Sequence, residues 1–88
     1  MRLDVLDELV DALAGEAGTW AVYPWRLVRP DLAEQGLEDT DKKVTSHVRQ
    51  VQQMAKRGEE PFNEYLVEVA VRRKVAYIRV KAPEGQDL

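Results

Sequence analysis

One apolar stripe limits what this chain can become. Residues 40–58 read TDKKVTSHVRQVQQMAKRG, and Val44, Val48, Val51 and Ala55 recur there at the i, i+4, i+7, i+11 spacing of one helix face. A helix 41–57 is predicted, with the acidic connection 38–41 offering its N-cap and Gly58 its stop. Its other face carries Thr45, Ser46, Arg49, Gln50, Gln52, Gln53 and Lys56. Between Lys42 and Gly58 there is no carboxylate, while Lys42, Lys43, Arg49, Lys56 and Arg57 are all basic. Side chains of this kind bond base edges and phosphate oxygens when a helix lies in a DNA groove. A helix built only for solubility usually mixes charge signs.

The net charge of -3 conceals an asymmetry. Residues 1–41 hold ten acids against three bases, whereas residues 42–81 hold ten bases against four acids. A polyanion partner is compatible with such a chain, because steering follows the local field. Eighty-eight residues are enough for one small domain, which at this size hides only about 60–65% of its unfolded surface. The expected division is a single domain over 1–82 and a flexible tail over 83–88. Without cysteine there is no disulfide framework or thiolate metal site, and the lone His47 cannot supply a familiar zinc site. No apolar run reaches the ~20 residues that span a bilayer, so no membrane partner is expected. The opening MRLDVLDELVD is too acidic for a secretory leader, and a cytoplasmic setting is expected.

Residues 2–14 predict an amphipathic helix with Leu3, Leu6, Leu9, Val10 and Leu13 inward and Asp4, Asp7, Glu8 and Asp11 outward. A short strand is expected over 19–23, ended by Pro24. The segment PDLAEQG predicts a compact second helix, opened either by an Asp31–Glu34 capping box or by Pro30, and closed at Gly36 with Leu37 packing back. Residues 64–82 alternate in β-branched and aromatic side chains, which favours a hairpin with Arg72, Arg73 and Lys74 at its tip. The competing reading is a helix 61–74, led by acids and finished by bases; the tip also lacks the glycine or asparagine that tight hairpin turns prefer.

In this order of elements, and in the residues LAEQGLEDTDKKVTSHVRQVQQMAKRG with the basic tip RRK, the chain resembles a winged helix-turn-helix domain. The resemblance implies an α+β fold of three helices, a short strand and a C-terminal β-hairpin. It also implies DNA binding through the third helix. Thr45, Ser46, Arg49 and Gln50, with Gln53 beside them, would then face bases. Lys42, Lys43, Lys56 and Arg57 would hold phosphates, and Arg72, Arg73 and Lys74 would serve the wing. The tight phage-repressor motif sets its alanine and turn glycine four apart; Ala33 and Gly36 stand three apart, which departs from that motif more than from winged relatives.

The function expected is a small DNA-binding protein, a transcriptional regulator acting on double-stranded DNA as a homodimer. No cofactor is expected. Nor is an enzyme, since no phosphate-binding glycine loop or nucleophile elbow occurs. The rival is a protein-interaction module that uses the same scaffold, its basic helix meeting an acidic partner. RNA binding is a further alternative. Trp20, Tyr23 and Trp25 read as core or dimer packing, with Val22 and Leu27 in the same apolar cluster, and His47 reads as a surface residue within reach of phosphate or base.

Overall fold

The computed structural model describes residues 1–81; the tail expected over 83–88 lies outside the described residues. The chain runs α1 (Leu3–Ala14), β1 (Ala21–Val22), α2 (Trp25–Val28), α3 (Pro30–Glu34), α4 (Lys42–Arg57), β2 (Val67–Arg72) and β3 (Val75–Val80). This is an α+β fold with a three-stranded antiparallel sheet in the order β1-β3-β2.

Helix α1 buries Leu6, Val10 and Leu13, and leaves Asp4, Asp7, Glu8 and Asp11 in solvent. Strand β1 is shorter than the alternation of 19–23 suggests. Only Ala21 and Val22 pair, with Ile78 and Tyr77. One further ladder bond, from the Tyr23 amide to the Ala76 carbonyl at 2.9 Å, precedes the break at Pro24. Immediately after it comes α2, a helical turn not anticipated from the sequence. The Leu27 and Val28 amides bond the Pro24 carbonyl, and Trp25 and Val28, three apart, both enter the core. Pro30 opens α3; Asp31 gives its carboxylate to Arg29 at 2.9 and 2.7 Å instead of capping the helix. Gly36 follows at φ 67, and Leu37 packs on the core as its spacing suggests.

Helix α4 has the predicted limits for clear local reasons. The Asp41 side chain accepts the Lys43 amide at 2.9 Å, and Gly58 ends the helix in the left-handed region at φ 66. Val44, Val48 and Val51 are buried against β2, with Ala55 and Met54 partly covered. Gln52, which the helical pattern sets on the polar face, instead turns inward and donates to the Val69 carbonyl at 3.0 Å.

The segment 64–82 contains a hairpin, not a helix. All six β2 residues pair in register from Val67↔Val80 to Arg72↔Val75. Val67, Val69, Ile78 and Val80 face the core, so the alternation of valine decides the outcome over the helix-like charge gradient. Full burial of a valine or leucine is worth roughly 1.5–3 kcal/mol, against ~1 kcal/mol or less for an exposed ion pair. Phe62, in a stretch the sequence presents as a polar loop, is also a core residue.

His47 is the clearest correction. It is 2% exposed, not a surface residue, and its Nε2 shares a 2.7 Å hydrogen bond with the Tyr23 hydroxyl. Burial pushes the His47 imidazolium down to about 4, with Arg29 and the amino terminus adding to the effect and Asp31 opposing it. Burial likewise raises Tyr23, partly offset by Arg29. The unfolded chain therefore binds a proton at His47 that the folded chain refuses. Stability should be full above about pH 6.5 and fall as pH drops toward about 4, by on the order of 3 kcal/mol. Urea unfolding between pH 7 and pH 5 measures this; a flat profile would contradict the buried neutral imidazole. Tyr23→Phe removes the one hydrogen-bond partner of the His47 ring among the described residues and should cost about 1–3 kcal/mol at neutral pH.

Candidate nucleic-acid interface

With the valine stripe pinned to the hairpin, the opposite face of α4 is directed to solvent. Lys42, Lys43, Thr45, Ser46, Arg49, Gln50, Gln53, Lys56 and Arg57 are all exposed, as are Arg72, Arg73 and Lys74. Lys42, Arg49 and Lys56 recur every seven residues, so they align on one ridge with ~10.5 Å of helix between successive members. Ser46 and Gln53 flank that ridge. Among the described residues no carboxylate forms an ion pair with Lys42, Arg49 or Lys56, nor with Arg72, Arg73 or Lys74. Lys43 donates to the Gln35 side-chain oxygen at 3.0 Å, and Arg57 faces Glu59 at 3.6 Å across solvent. The acidic face of α1 pairs with none of them; its one ion pair is the local Arg2–Asp4 contact.

The expected residues do not all converge. Thr45 shares a recess with Arg73 and Lys74, so the first turn of α4 and the hairpin tip form one surface. Lys42, Lys43, Ser46 and Gln50 border a second depression with Arg29, toward α3. Lys56 and Arg57 lie at the far end of the helix beside Tyr65, Leu66 and Lys81, ~20 Å from Lys42 along its axis. Arg29 joins the basic surface although the sequence did not single it out. Its carboxylate neighbour Asp31 is held at about 2 by the Arg29 hydrogen bond.

The aromatic residues divide. Tyr23 and Trp25 are core, but Trp20 remains 40% exposed under the Arg79 guanidinium, 4.6 Å from its ring centre. Val22 and Leu27, expected in the same cluster, are instead 61% and 62% exposed. No group of three or more His, Asp or Glu side chains among the described residues is placed to hold a metal ion. No described helix is long and apolar enough to cross a membrane.

The hairpin tip is the unusual piece of backbone. Arg73 and Lys74 form a two-residue turn at φ 51 and 68, the left-handed region that glycine and asparagine occupy at least cost. The tip thus carries two long cations where the local geometry favours Asn-Gly. No family model, curated protein or solved structure matches the chain. Replacing the pair by Arg73→Asn with Lys74→Gly should stabilise the fold by about 1–2 kcal/mol in urea unfolding. Unchanged or lower stability would show that the turn stores no strain.

Proposed function

We propose that this chain is a DNA-binding protein of the winged helix-turn-helix kind, with α4 as the groove-reading helix and the β2–β3 tip as the wing. The supporting observation is the exposed, uncompensated ridge of Lys42, Arg49 and Lys56, on a helix free of acids. The order of elements and the pairing of β1 with β3 also support that reading, in which α2 and α3 together would stand for the second helix. The mechanism is positional. Arg49, central on the ridge, reads base edges with Thr45, Ser46, Gln50 and Gln53, while the lysines, Arg57 and the tip hold phosphates. The setting proposed is cytoplasmic and the role regulatory. The homodimer belongs to the same proposal. Val22 in β1 and Trp20 just before it, both exposed, offer the apolar contact for a second copy. Loss of self-association in Val22→Glu, read by sedimentation, tests that part.

If a dimer neutralises about six phosphates, duplex affinity should fall on the order of 1,000-fold between 50 and 200 mM salt. Fluorescence anisotropy with mixed-sequence duplex is the direct measurement. Arg49→Ala should narrow the gap between preferred and random duplex by about 1–3 kcal/mol, whereas Lys56→Ala should weaken all sequences alike. Salt-independent binding, or two variants indistinguishable from the parent, would overturn the assignment. Retention of an acidic protein partner without any duplex binding would favour the interaction-module reading.

A further inference from the structure

The recess shared by α4 and the hairpin has a chemistry that groove reading does not require. Open to solvent on one side, it offers about 760 Å³, within the ~300–1,000 Å³ of small-molecule sites. It is lined by Val44 and Val48 of α4, by Val71, Val75 and Ala76 of the hairpin, and by Tyr23, Pro24 and Trp25. Val71 continues the core face of β2 beyond the core, and is 52% exposed there. Its charged lining residues are Arg26, Asp39, Arg73 and Lys74. The Asp39 carboxylate is already engaged, accepting from the Trp25 indole at 2.7 Å and facing Arg26 at 3.7 Å. Arg73 and Lys74 have no carboxylate partner among the described residues.

An apolar interior lined by two cations that have no carboxylate partner among the described residues calls for one kind of occupant. We propose that this recess binds a small amphiphilic carboxylate, its apolar body between Val48, Val71 and Ala76 and its carboxylate against Arg73 and Lys74. Its dimensions favour a small molecule over a helical peptide. The α4 wall from Val44 to Val48 rises only ~6 Å, while a docked helix with anchors at i, i+4 and i+7 needs ~10 Å. Ligand and polyanion would draw on the same two side chains at the tip.

The test uses the full chain without DNA, so it succeeds or fails apart from the DNA-binding reading. Naphthoate serves as probe and naphthylmethanol as its uncharged counterpart, both followed by amide NMR shifts. The expected result is saturable binding of naphthoate, with the largest shifts at Val48, Val71 and Ala76. Naphthylmethanol should bind about tenfold or more weakly, as loss of a charge-assisted hydrogen bond requires. The double variant Arg73→Gln with Lys74→Gln should lose about the same factor for naphthoate and nothing for the alcohol. Val71→Asp, at an exposed position, should weaken both. Equal binding of acid and alcohol, shifts centred on Trp20 or Leu27, or no saturation by either probe would overturn the proposal.

Discussion

The seating of α4 on the hairpin governs this molecule. Three valines, at 44, 48 and 51, enter the core against β2, and Gln52 adds a hydrogen bond to the Val69 carbonyl on the strand facing the helix. Together they fix the rotation of the helix about its own axis. A rotation by one residue position, ~100°, would bring Thr45 and Arg49 toward the core, where an unpaired guanidinium is prohibitively costly. The direction of the basic ridge is therefore a consequence of apolar packing. It owes nothing to attraction among the charges themselves, which repel.

Beneath the same helix lies a polar contact that apolar packing alone would not have placed there. Tyr23, at the end of β1, and His47, on the buried side of α4, meet at 2.7 Å, their rings 5.7 Å apart and nearly stacked. This links the sheet to the helix with a bond that has direction. The imidazole must stay neutral to remain there. The core consequently has one component whose stability depends on pH.

The tip shows the opposite balance. Six register pairs between β2 and β3 hold Arg73 and Lys74 in backbone conformations that neither side chain prefers. The pairing over-determines the turn, so cations can stand where asparagine and glycine would be less strained. Their position beside Thr45 makes the tip and the first turn of α4 one surface.

Much of this architecture follows from periodicity alone. Amphipathic spacing placed α1 and α4 to within a residue or so, Asp41 and Gly58 bounded the latter, and alternating valine identified the hairpin through a turn lacking the usual residues. Several features did not follow, the α2 turn, the inward Gln52 and the buried Phe62 among them. His47 reads as polar in any one-dimensional pattern, yet it falls on the buried side of the helix and finds Tyr23 across the core. Val22 and Leu27 read as core, yet pairing at Ala21 and the turn at Trp25–Val28 leave them facing out. The recess between α4 and the tip has walls separated by more than twenty residues of chain. Local sequence determined which faces are apolar and where elements stop, because those depend on neighbours within a turn or a strand. Which polar group is buried, which apolar one is not, and which cations share a cavity were decided only by tertiary packing, since each requires a partner distant in sequence.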